Sequence, residues 1–155
     1  MLAVIREQKS VVMPSKTVLI TALGILFAMS ACQNPYDPEC VSRSIGSEEM
    51  IQLDSMVTLF ADTRSDIESK PVADIETTIR ELQEIRLEAE GVEVERCLVP
   101  YQQDILAYMD LKIEAFVTVS LGESEKTISE AFEASDRAYR EYLEERNRLA
   151  NTVAD

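Results

Sequence analysis

Cysteine is the residue type whose placement in this chain most suggests chemistry. Cys32 stands directly after Ser30-Ala31 at the end of an uncharged run, while Cys40 and Cys97 lie further along. Tyrosine is the second candidate. Tyr101, Tyr108, Tyr139 and Tyr142 fall on the apolar stripes of two helical patterns, placed to line a pocket for an aromatic or amphipathic ligand. The same four suit a core whose hydroxyls find partners at its rim, and that is the commoner use. Two groups of carboxylates, Glu84, Glu88, Glu90 and Glu141, Glu144, Glu145, are close in sequence, and a solvated helix face accounts for both.

Histidine is absent. Ser-His and Cys-His nucleophile pairs, His-ligated zinc or iron and proton shuttling near neutral pH all lose their usual residue. Carboxylate-rich bundles that hold two metal ions need Glu-x-x-His pairs on facing helices, so no metal is expected here. No glycine-rich phosphate loop, Cys-x-x-Cys redox pair, haem-attachment motif or basic patch with interleaved aromatics occurs, and no cofactor is expected. The net charge is −14; residues 1–31 carry three bases and one acid, so the remainder stands at −16. Such a surface repels nucleic acid and anionic headgroups and favours, if anything, a basic protein partner.

The thirteen residues from Thr17 to Met29 carry no charge and follow Lys16. The run matches a signal-peptide core and is short for a membrane span, which needs about 20 residues. Met29-Ser30-Ala31-Cys32 resembles a lipobox, the cleavage site of bacterial lipoprotein signal peptides, with Met where Leu is usual. The resemblance covers roughly residues 13–33 and implies cleavage before Cys32, a diacylglycerol on its thiol and anchorage in the bacterial cell envelope. Gln33, in place of Asp, resembles the sorting pattern for an outer membrane facing the periplasm. Residues 1–12 stand outside this pattern, and Met13-Pro14-Ser15-Lys16 is the expected true start.

Export and lipidation of Cys32 leave an even pair in an oxidising compartment, so Cys40 and Cys97 are expected to form a disulfide. The domain organisation that follows is a signal peptide over 1–31, a lipidated tether over 32–46 and a helical domain over 47–155. Pro35, Pro38 and Gly46 disfavour helix throughout the tether.

Four helices are predicted, over 48–69, 72–90, 95–121 and 125–150. The first starts at a Ser47 cap and carries Met50, Leu53, Val57, Phe60, Arg64 and Ile67 at alternating spacings of three and four, the mark of one packed seam. Arg64 interrupts that seam and is expected to lay its stem on the core edge. Lys70-Pro71 separates the second helix, with Ile75, Ile79, Leu82, Ile85 and Ala89 on one face. The third is the most apolar and the fourth opens at a Ser124 cap. Pro100 either marks the third helix's first turn or bends it. Four amphipathic helices with short links imply an all-α, antiparallel up-down-up-down four-helix bundle. In that topology the first and third helices begin at one end, where the two cysteines meet. The expected role is a non-enzymatic protein-interaction or inhibitory module; the alternative is a bundle that binds a small apolar or aromatic ligand.

Overall fold

The computed structural model describes residues 37–67 and 75–152, all within the unit formed by Asn34–Asp155. The expected signal peptide, lipobox, start site and Lys70-Pro71 break lie outside the described residues. The chain is all-helical, and among the described residues there is no strand. Helices run over Pro38–Ser44 (α1), Glu48–Ile67 (α2), Ile75–Glu90 (α3), Val99–Ser120 (α4) and Glu125–Thr152 (α5), with a 3₁₀ turn at Arg96–Leu98.

Helix α1 corrects the expected irregular tether. Asp37 is its N-cap, accepting a hydrogen bond from the Glu39 amide, and Pro38 occupies the first turn, where its missing N–H costs nothing. Val41 and Ser44 of α1 are buried, so this segment belongs to the core. The start of the third predicted helix is also corrected. A proline ring clashes with the carbonyl four residues back, so Pro100 confines the α-helix to begin at Val99, and the tighter 3₁₀ turn precedes it.

The remaining termini follow local chemistry. Ser47 accepts from the Met50 amide and Ser124 from the Thr127 amide. Helix α4 ends in paired bonds, Glu123 N–H to the Thr118 carbonyl and Gly122 N–H to that of Val119, around a Gly122 φ of 67°. Gln102 of α4 donates to the carbonyls of Ala89 and Val92, satisfying acceptors that the end of α3 leaves open.

The expected seams meet in one core. Leu53, Phe60, Leu82, Leu98, Tyr101, Ile105, Met109 and Leu149 are sealed from solvent. Each such side chain contributes about 1.5–3 kcal/mol of burial, which short helices need because alone they are marginal in water. Helix α4 packs on α5 and on α3, and α2 packs on α3. Phe116–Phe132, Lys112–Asp136, Tyr108–Tyr139 and Tyr101–Tyr142 fix α4 and α5 in opposite directions. Arg86–Asp110 and Gln102–Ala89 do the same for α3 and α4. Cys40 of α1 is bonded to Cys97 of the 3₁₀ turn, with 6.0 Å between their Cα atoms. No helix among the described residues is long and apolar enough to cross a membrane.

Candidate functional site

Helices α2 and α5 meet through side chains, and between them lies a cleft of about 370 Å³. Val57, Thr58, Ala61, Asp62 and Arg64 of α2 form one wall; Tyr139, Tyr142, Leu143 and Arg146 of α5 form the other; Tyr108 of α4 reaches it from below. Its size falls within the range of small-molecule sites, and its mixture of apolar wall with a few polar groups is their usual composition.

Asp54 closes one end. It accepts hydrogen bonds from the hydroxyls of Tyr101 and Tyr142, and its second oxygen pairs with Arg146 at 3.1 Å. Three helices therefore converge on one carboxylate. Burial, and next the Asp54 bond, push the Tyr101 hydroxyl far above the usual phenol range. Tyr142 moves up mainly through burial as well, and Asp54 holds the Arg146 guanidinium charged. Tyr101, Tyr142 and Arg146 therefore all keep their protons at neutral pH, and the arrangement suits binding and rigidity. A second hollow of about 290 Å³ adjoins the Asp54–Arg146 pair, lined by Ile45, Met50, Ile51 and Ala150.

Three of the four sequence-predicted tyrosines line the cleft: Tyr108, Tyr139 and Tyr142. Tyr101 is sealed behind them, its ring 5.6 Å from that of Tyr142. Tyr139 is 39% exposed, packed between Tyr108 and Tyr142 at centroid distances of 4.9 and 5.8 Å, so its ring is the one offered to solvent. The four thus divide between core and cleft wall.

Among the described residues four bases are drawn in from the surface: Arg64, Arg86, Lys112 and Arg148. Arg86 binds Asp110 and Glu90, Lys112 reaches Asp136 at 3.0 Å, and Arg148 holds Glu145 at 2.6 Å. Arg64 differs. It sits beside Tyr108, whose hydroxyl is pushed up first by burial and drawn back down by the Arg64 charge. The Arg64 Nε is buried without a hydrogen-bond partner, and no carboxylate among the described residues forms an ion pair with it.

The carboxylate groups noted in sequence remain apart from the cleft. Glu84 and Glu88 are exposed, Glu90 serves Arg86, and Glu145 serves Arg148. Among the described residues the one gathering of metal-type ligands is Cys40, Glu95 and Cys97. There the two sulfurs bond each other and offer no thiolate to a cation. Cys32 lies outside the described residues.

Sequence reasoning did not find Asp54, Arg146 or Lys112. Position 112 carries a readable signal, because it completes the spacing from Ile105 and Met109 to Phe116, and Lys112 is only 4% exposed with its ammonium over the Phe132 ring. Asp54 and Arg146 carry none, since their pairing spans 92 residues. Comparison with protein families, with curated proteins and with solved structures finds no match to this chain.

Proposed function

We propose that this chain is a bacterial envelope lipoprotein, anchored by acylated Cys32, whose helical domain works by binding another envelope protein and not by catalysis. The observation that carries the binding role is the α2–α5 cleft, a concave site with apolar walls and a few polar groups. The −16 charge of residues 32–155 favours a basic partner. In double-membrane cells the outer membrane, facing the periplasm, is the favoured location. The opposed directions of α3 against α4 and of α4 against α5 support an up-down-up-down arrangement of α2 to α5, with α1 as a short addition stapled at one end.

A photo-crosslinker at position 139, on the cleft, should capture a defined envelope protein that one at exposed Leu87 misses. Equal capture from both positions, or capture from neither, overturns the interaction reading. The anchor is tested separately. Cys32→Ser should abolish incorporation of a clickable fatty acid and leave an uncleaved precursor, since two acyl chains hold a protein at a membrane where one barely does. Label retained by the mutant refutes lipidation at this residue.

A second reading is favoured by the three tyrosines on the cleft: a small apolar or aromatic molecule bound between α2 and α5. Native mass spectrometry of the purified protein should then show a co-purifying mass, and a clean apo mass counts against it.

A further inference from the structure

We propose that Arg64 makes the α2–α5 cleft a site for a carboxylate-bearing molecule with an aromatic or apolar body. This rests on the second reading, that the cleft binds a small molecule. Arg64 occupies a seam position of α2, following Met50, Leu53, Val57 and Phe60, all buried. A guanidinium there is partly stripped of water, and such a charge is costly unless a counter-charge meets it. The other three drawn-in bases each have one: Asp110 with Glu90, Asp136 and Glu145. Among the described residues no carboxylate is paired with Arg64, which sits beside Tyr108, in a chain with 29 acids against 15 bases. A shortage of carboxylates does not explain the gap.

Charge complementarity selects the occupant. The planar guanidinium presents a fork that matches a carboxylate with two parallel N–H···O bonds. The Tyr139 ring and Leu143 supply wall for an apolar body along the cleft. At the far end Arg146 is already taken by Asp54, so one anionic group is accommodated and a second is not. Asp62 also lines the cleft and opposes an anion, so removing its charge strengthens binding.

The test uses the full chain in non-ionic detergent with labelled tyrosine rings, titrated with 3-phenylpropanoate and with its neutral analogue 3-phenylpropanamide. The Tyr139 ring resonances report occupancy. The acid should bind about tenfold or more tighter than the amide, as expected for hydrogen bonds to a charged group. Arg64→Met should erase that preference, Arg64→Lys should keep part of it, and Asp62→Asn should tighten the acid alone. If Arg64→Met does not fold, Arg64→Gln carries the same comparison. Equal affinities for acid and amide in the unmodified chain, or a preference that survives loss of Arg64, overturn the proposal while leaving the cleft as a binding site. No response of Tyr139 to either probe removes both.

Discussion

Reducing the Cys40–Cys97 bond tests how α1 is held. The bond closes a loop of 57 residues. In the chain-entropy relation a loop of that length constrains the unfolded chain by about 4 kcal/mol. For a domain of this size that corresponds to a fall in melting temperature of roughly 15–30 °C. In urea the midpoint should drop by about 2–3 M. The loss should also have a location. Helix α1 has only seven residues, too few to persist alone, and it packs chiefly on the 3₁₀ turn to which Cys97 ties it. Equilibrium unfolding followed by far-UV circular dichroism, with and without reductant and in Cys40→Ala/Cys97→Ala, measures the first effect. Amide hydrogen exchange measures the second: Val41 and Ile45, whose N–H groups bond to the Asp37 and Val41 carbonyls, should lose protection well before α4 and α5. A midpoint shift below about 1 M, or α1 amides still protected after reduction, refutes both the loop-closure account and the dependence of α1 on the bond.

Asp54→Ala strands the buried Tyr101 hydroxyl and should cost about 1–3 kcal/mol in urea unfolding; in a Tyr101→Phe background the cost should shrink, and an equal cost in both refutes the network. Burial raises the hydroxyls of Tyr101, Tyr108 and Tyr142 above their ordinary value of 10.0, so the unfolded chain loses those protons first. Their contribution is therefore complete below about pH 10 and is lost as pH rises above it, which melting curves across that range with ionisation followed by absorbance will show. Gly122 has a φ of 67° and open space where a Cβ would stand, so Gly122→Ala should cost about 1 kcal/mol through backbone strain alone; a neutral result means the turn relaxes.

Much of this architecture is readable along the chain because it rests on contacts within one helical turn. The caps at Ser47 and Ser124, the stop at Gly122 and the buried stripe from Ile75 to Ala89 are matters of spacing three and four. Local rules alone misjudge the stretch before Gly46, because proline breaks a helix in its interior but starts one at its first turn. The difference depends on whether Val41 has a core to enter, and that is not local. The candidate site divides in the same way. The tyrosines announced themselves by periodicity, and Arg64 by interrupting it.

The sequence alone determined that this protein is acidic, free of histidine and helical, because composition and short-range periodicity do not depend on how helices are arranged. Only the tertiary structure decided that Asp54 is shared by Tyr101, Tyr142 and Arg146, that three tyrosines border a cleft while the fourth is sealed, and that Arg64 alone among the drawn-in bases lacks a carboxylate among the described residues. These features arise where side chains from α2, α4 and α5 converge. Which helix faces meet depends on burying all the stripes at once, a condition on the whole core that no single segment encodes.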